Sequence, residues 1–181
     1  PAFGELVEAV RPSRLIEIGT WKGGSAITLA RQLDRIGSDC EILCVDTWLG
    51  ALEMWTNLED PTRHGSLNLK NGYPSLYYTF LGNVVRAGHQ DRITPFPVPS
   101  ITAAQWFSLH GVQAELIYLD GSHEEEDVYQ DLVVWWDIVS PGGILFGDDW
   151  TWDGVRLAVQ RFASENQLSI SHRHDKWELR R

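Results

Sequence analysis

The chain alternates short apolar runs with stretches of helical period. Phe3–Val10 carries apolar side chains at helical spacing and stops before Pro12. Leu15–Ile18 is a compact apolar run, as expected of a strand buried on both faces of a parallel sheet. Ala26–Leu33 is an amphipathic helix by its spacing, and Glu41–Val45 is a second strand. The pattern then predicts a helix over Tyr77–Gly88, a third strand over Ile93–Val98, a helix over Ile101–Leu109 and a fourth strand over Ala114–Leu119. A helix follows from Glu124 through Ile138, with Val128, Leu132, Val133, Trp135 and Trp136 at core spacing. Pro141-Gly142-Gly143 turns into a fifth strand, Ile144–Gly147, and Gly154–Asn166 is again helical. Leu168–His172 and Trp177–Arg180 predict an antiparallel hairpin over His174-Asp175-Lys176. Strands alternating with helices define the α/β class. The expectation is one domain over residues 1–181, with a Rossmann-like doubly wound sheet of about seven strands. Most are parallel, and the hairpin closes the sheet. Pro95 and Pro97 place the third strand at an edge, where missing ladder donors are tolerated.

One segment breaks the alternation. Residues 47–74 hold Trp48, Trp55, Pro61, His64, Gly65, Gly72 and Pro74 with little period. A long irregular excursion in a compact domain is usually a lid or binding loop. Following the second strand, it belongs over the ligand edge of the sheet. Its aromatics either contact substrate or pin the loop.

Composition narrows the setting. The 181 residues are 43% hydrophobic and 22% charged, which fits a globular domain with a sizeable core. The net charge of −10 disfavours nucleic acid and anionic membranes, which both need a positive surface. No apolar stretch approaches the roughly 18 residues of a membrane span, and no basic segment leads into an apolar one as in a secretory signal. Position 1 is Pro rather than Met, so sequence preceding it is expected. Cys40 and Cys44 lie in one extended segment, roughly 13 Å apart, too far for a disulfide. They read as structural thiols in a reducing, cytoplasmic setting. Edge strands and nine tryptophans leave surface for self-association.

The chemistry-bearing pattern begins at Glu17-Ile18-Gly19-Thr20-Trp21-Lys22-Gly23-Gly24-Ser25. Strand, glycine turn and helix form the first crossover of a nucleotide-binding domain, where amides at the helix start face a ligand. An ordinary tight turn would look the same. The spacing is not G-x-G-x-x-G, because Trp21 and Lys22 occupy positions that are small in a dinucleotide fingerprint. Asp46 ends the second strand 22 residues beyond Gly24. An acid there can accept from both hydroxyls of an adenosine ribose, or simply cap a turn.

Three more acids end strands: Asp120 after the fourth, Asp148 and Asp149 after the fifth. If those strands are neighbours, roughly 4.8 Å apart, the carboxylates crowd one spot and raise one another's pKa values. A hard divalent cation removes that cost, and oxygen ligation favours magnesium, manganese or calcium over zinc. Alternatively, Asp120 and Asp149 are helix caps and Asp148 a loop acid. The acidic run Glu124–Asp127 is explained by the helix dipole alone.

The motifs "EIGTWKGGSA", "YLDGSH" and "LFGDDW" resemble those of class I S-adenosylmethionine-dependent methyltransferases. The resemblance is greatest to the macrocin/mycinamicin sugar O-methyltransferase and cephalosporin-hydroxylase-like families. It runs from about Leu15 to Phe162 and implies a methyltransferase acting on a hydroxyl of a small molecule, a sugar or polyol among the options. It implies S-adenosylmethionine held by Glu17, Gly19, Thr20, Gly23, Asp46, Thr47, Ser100 and Asp120. It also implies magnesium at Asp120, Asp148 and Asp149, with His123 as the catalytic base. Ser100 is expected to cap the following helix or to face the adenine. The chain departs from the families in its proline-rich third strand and in lacking an acid near Ser100. Two other readings remain open at this point: a nicotinamide-dependent oxidoreductase on a similar sheet, and a non-catalytic S-adenosylmethionine-binding domain.

Overall fold

The computed structural model describes residues 3–57 and 59–181. Helix α1 (Phe3–Val10) leads into strand β1 (Arg14–Ile18), then α2 (Gly24–Arg35) and β2 (Glu41–Val45). Helices α3 (Leu52–Thr56), α4 (Pro61–Ser66) and α5 (Leu76–Ala87) precede β3 (Ile93–Phe96) and α6 (Ser100–Leu109). Next come β4 (Ala114–Leu119), α7 (Glu125–Trp136), β5 (Val139–Gly147) and α8 (Asp153–Glu165). Strands β6 (Ser171–Arg173) and β7 (Lys176–Arg180) close the chain. The seven strands form one sheet in the order β3-β2-β1-β4-β5-β7-β6. All pairings are parallel except β5–β7 and β6–β7.

Successive strand side chains point to opposite faces, and the core divides accordingly. Ile16, Ile18, Ile117 and Leu119 join Phe107, Trp135 and Phe162 on one face. Leu15, Leu116 and Tyr118 join Leu6, Leu33 and Phe80 on the other. The central strands are therefore apolar at nearly every position, as the short runs predict. Strand order reverses between β1 and β4, which opens the crevice where a doubly wound sheet takes its ligand.

Several local expectations are corrected. Ser100 does not cap α6: Pro99 precedes the helix and no side chain caps it. The excursion after β2 is not structureless. Helices α3 and α4 are five and six residues long, too short to show a period, and Asp60 caps α4 by accepting from the Thr62 N–H. Trp48 is buried against Tyr77 and Phe80, so this aromatic pins the loop. Helix α7 ends at Trp136 and Ile138 lies beyond it. Strand β5 starts at Val139, before Pro141-Gly142-Gly143, which forms an irregularity inside the strand. Its backbone is secured from the C-terminus: the Gly142 N–H donates to the Arg181 carbonyl, and the Arg181 N–H to Gly143. The hairpin turns at His174-Asp175, with Lys176 already in β7. Leu168 and Ile170 pack on the core outside any strand. Cys40 and Cys44 are free and buried, and burial pushes the Cys40 thiol up to about 12. Among the described residues no helix is long and apolar enough to cross a membrane.

Candidate active site

The β1–α2 turn is built around two glycines. Gly19 sits at φ 80°, and a Cβ there would lie 2.1 Å from the Asp120 carbonyl oxygen. Its N–H donates to Val45, and the Asp120 N–H donates to Ile18, so the tips of β2, β1 and β4 are tied together. Gly23 precedes α2 in the left-handed region at φ 82°, with Phe80 directly over it. Only glycine meets both demands without strain.

Asp46 organises the loops on either side. Its Oδ2 accepts from the Thr20 N–H (2.9 Å) and the Trp21 N–H (2.7 Å), and its Oδ1 from the Trp48 N–H (2.7 Å). The Trp48 indole N–H returns a bond to the Trp21 carbonyl at 2.8 Å. Trp21 and Trp48 both take the left-handed backbone conformation, which is costly for a bulky residue, and these bonds hold them there. The turn-capping role left open for Asp46 is therefore real; Oδ2 already accepts two bonds, and Oδ1 keeps one lone pair for a further donor.

Glu17 lies behind this turn and is fully buried. Its Oε1 accepts from Ser25 Oγ, while Oε2 is buried with no partner. Burial, opposed by the Ser25 bond, pushes the carboxyl up to about 8. A buried acceptor without a donor is costly unless a ligand supplies one.

In front lies a cavity of about 1230 Å³, more than one drug-sized ligand fills. Gly19, Thr20, Asp46, Thr47, Ser100, Asp120 and His123 all line it, as do Ser25 and residues of α3 and α4. Gly24, where a Cβ would meet nothing within 4 Å, leaves room at the base of α2.

The acids after β4 and β5 meet because those strands are adjacent, with Leu119 paired to Gly147. They are not helix caps: Glu124 and Trp152 precede α7 and α8. Asp120, His123 and Asp149 each present one ligand atom, all within 4.8 Å of one another. Asp149 adopts φ 59°, which turns it toward His123 Nε2 at 3.0 Å. Asp148 has a different setting. Lys176 Nζ donates to its Oδ2 at 2.5 Å, and the Tyr118 hydroxyl lies 3.3 Å from that oxygen and 3.0 Å from Asp120 Oδ2. Burial, reinforced by the Asp149 charge, pushes Asp120 up to about 7. The hydrogen bond to Asp149 raises His123 above its ordinary value against its own burial. His123 Nδ1 is buried and unbonded, 3.7 Å from Glu53 Oε1 on α3. Trp152 stacks on the imidazole with centroids 4.6 Å apart.

Sequence reasoning missed Ser25, Glu53, Tyr118, Asp131 and Lys176 at this site. Ser25 belongs to the quoted glycine motif and was within reach. Glu53 sits in a segment without period, and Lys176 was assigned to the hairpin turn. Tyr118 and Asp131 looked like ordinary positions on a strand and a helix.

A parallel sheet reversed between β1 and β4, a terminal antiparallel strand and this glycine turn define the class I methyltransferase fold. The family model described as a methyltransferase domain matches residues 16–150, and the chain belongs to that family. That membership leaves the oxidoreductase alternative without support. Among solved structures, an O-methyltransferase from Bacillus cereus in complex with SAH superposes with a TM-score of 0.70 at 16% identity. It covers 98% of this chain and 77% of that one. The O-methyltransferase NovP gives 0.68 at 20%, covering 99% and 77%. TomG from Streptomyces achromogenes, an O-methyltransferase involved in tomaymycin synthesis and solved with SAM, gives 0.68 at 14%, covering 98% and 76%. Comparison with functionally curated proteins returned no match.

Proposed function

We propose that the protein is an S-adenosylmethionine-dependent O-methyltransferase that methylates a hydroxyl of a small molecule, with a divalent ion, magnesium by its chemistry, at the acceptor. The observation that carries this reading is the convergence of Asp120, His123 and Asp149, the first two of which line one end of a cavity whose other walls are the glycine turn and Asp46. The structures solved with SAM or SAH share this fold, and the cavity has room for donor and acceptor together.

The residues fit both groups. The unpartnered Glu17 oxygen behind Ser25 suits the cationic amino-acid end of the donor. Asp46, Thr47 and Thr20 line the cavity beside the glycine turn and would hold the ribose, and Ser100, also in its lining, would face the base. Asp120 and Asp149 supply hard oxygen ligands, and Asp148 joins them only by giving up Lys176. When bound, S-adenosylmethionine supplies an electrophilic methyl group and the ion lowers the pKa of a coordinated hydroxyl.

The chain's own residues do the rest. With Nε2–H donated to Asp149, the basic nitrogen of His123 is Nδ1, the atom without a partner. That tautomer is inferred from the bonding. Asp149 holds the ring, and Nδ1 would take the proton of the acceptor hydroxyl once donor and acceptor are bound. Helices α3 and α4 exclude water from that event. A cytoplasmic setting and self-association belong to the same proposal.

The test is transfer of a radiolabelled methyl group from S-adenosylmethionine to a panel of sugars, polyols and phenols, with magnesium or with EDTA. It is paired with Mn2+ binding by electron paramagnetic resonance. Methylation that disappears with EDTA, and Mn2+ binding lost in Asp120→Asn and Asp149→Asn, support it. SAH binding without turnover on any hydroxyl would favour a non-catalytic domain instead.

A further inference from the structure

The wall formed by α3 and α4 carries a cation that the chemistry above does not use. Leu52 and Glu53 of α3 line the cavity there, with Thr62, Arg63 and Ser66 of α4. The two short helices are tied to each other. His64 Nδ1 lies 3.2 Å from the Met54 carbonyl oxygen, and the His64 ring meets the Trp55 ring edge-on with centroids 5.7 Å apart. Arg63 is thus presented by a braced pair of helices.

The other donors on this wall are already spent. The Thr62 hydroxyl donates to Asp60, and Ser66 Oγ donates to the Arg63 carbonyl at 2.6 Å. The other permanent cation in the cavity lining, Lys176, is held by Asp148 at 2.5 Å. Arg63 is not held in that way. Its Nη1 lies 3.5 Å from Glu53 Oε1 and its Nε 3.7 Å from Asp60 Oδ2, both longer than the roughly 2.7–2.9 Å of a charge-assisted bond. Among the described residues nothing pairs with its Nη2. A guanidinium offers a rigid fork of donors that fits a carboxylate or a phosphate, and here the fork is largely unfilled.

The distance from Arg63 to the proposed chemistry is bounded by one atom. Glu53 Oε1 stands 3.5 Å from Arg63 Nη1 and 3.7 Å from His123 Nδ1. The two nitrogens therefore lie no farther apart than those distances added, a gap that one small molecule spans. A hydroxyl at His123 and an anionic group at Arg63 can belong to the same acceptor.

We propose that the acceptor is an anionic hydroxy compound, whose carboxylate or phosphate is held by Arg63 while its hydroxyl faces His123. Uronic acids, sugar phosphates and hydroxybenzoates have this chemistry; neutral sugars and simple phenols do not. The inference rests on the methyltransferase reading and narrows its acceptor. Arg63 would fix the orientation of the hydroxyl through a group that does not react.

The experiment is calorimetric titration of the full chain, saturated with S-adenosylhomocysteine and Mg2+, with matched sets of compounds. Glucose is set against glucuronate and glucose 6-phosphate, and catechol against 3,4-dihydroxybenzoate. An anionic member of at least one set should bind about tenfold or more tighter than its neutral counterpart, as hydrogen bonds to a charged group allow. The order of glucuronate and glucose 6-phosphate tells a carboxylate site from a phosphate site. Arg63→Gln should bring the members of that set within about threefold, and Arg63→Lys, which keeps the charge without the fork, should fall between. Glu53→Gln removes the nearest partner of Arg63 and keeps the guanidinium, so the preference should persist or grow. Circular dichroism checks that each variant folds, and Arg63→Lys carries the test should Arg63→Gln not fold. No preference for an anion in wild type, a preference unchanged in the folded Arg63 variants, or one lost equally in Glu53→Gln overturns the assignment and leaves the methyltransferase reading standing. Failure of wild type to bind S-adenosylhomocysteine overturns both.

Discussion

Glu17 makes the sharpest quantitative case, because one substitution should change stability and pH dependence together. The carboxyl is fully buried, with one oxygen unpartnered, and is raised from 4.5 to about 8, mainly by burial. The unfolded chain releases this proton near pH 4.5, whereas the ligand-free folded chain keeps it to about pH 8. The group's stabilising contribution is therefore complete below pH 4.5 and falls as pH rises through that window, by about 1.4 kcal/mol per unit. At pH 7 the loss is roughly 3 kcal/mol, a large part of a typical domain's stability. Glu17→Gln keeps the shape and cannot ionise. Urea denaturation of the ligand-free protein at pH 5, 6, 7 and 8 should show the variant gaining on wild type at each step, with a stabilisation of roughly 3 kcal/mol at pH 7. Asp120 and Asp131 are also raised and slope the same way, so the difference between the two proteins, not the wild-type slope, reports Glu17. Saturating S-adenosylhomocysteine should shrink the difference, since an ammonium group nearby restores the charged form. Parallel pH profiles for wild type and variant would refute the reasoning.

Two further outcomes follow. His123→Asn should lower methyl transfer by about 10²–10⁴-fold while leaving the dissociation constant for S-adenosylhomocysteine unchanged; equal losses in binding and turnover would show the ring to be structural. Gly19→Ala places a methyl group 2.1 Å from the Asp120 carbonyl at a positive φ, and should cost roughly 3 kcal/mol or more in urea denaturation; near-wild-type stability would mean the three strand tips are not tied as described.

Much of the fold was legible because its central strands are short and largely apolar, and helices α2, α5 and α8 keep a clear helical period. Ala114–Leu119 and Glu41–Val45 match the observed strands residue for residue. The misreadings lie where tertiary contacts override local pattern. Pro141-Gly142-Gly143 looks like a turn, yet Arg181 bonds its backbone and carries it as part of β5. Ser100 has the chemistry of a helix cap, but its hydroxyl is taken by Asp131 and Trp135. Helices α3 and α4 bury no residue fully, so they leave no periodic trace. The strand-end acids could be listed from sequence because a parallel sheet puts all its C-terminal tips on one edge. Their partners could not, since Glu53, Asp131 and Lys176 arrive from a lid, a helix and a hairpin.

Lys176 shows why topology decides the charge balance. In a strand parallel to β5, the residue beside the Asp148 tip would be the last of that strand. Because β7 runs antiparallel, with Trp177 opposite Gly147, the residue delivered there is its first, Lys176. Its ammonium meets Asp148 and lies 4.7 Å from the centre of the Phe3 ring and 5.5 Å from that of Tyr118. Of the three carboxylates, Asp148 is paired with that ammonium, which leaves two, Asp120 and Asp149, facing one another beside His123. Two is the number a divalent ion balances, and without that ion the burial of Asp120 beside Asp149 holds its carboxyl near 7. Removing the lysine charge would leave three carboxylates sharing one cation, and the added repulsion would fall on the same cluster that is proposed to activate the acceptor.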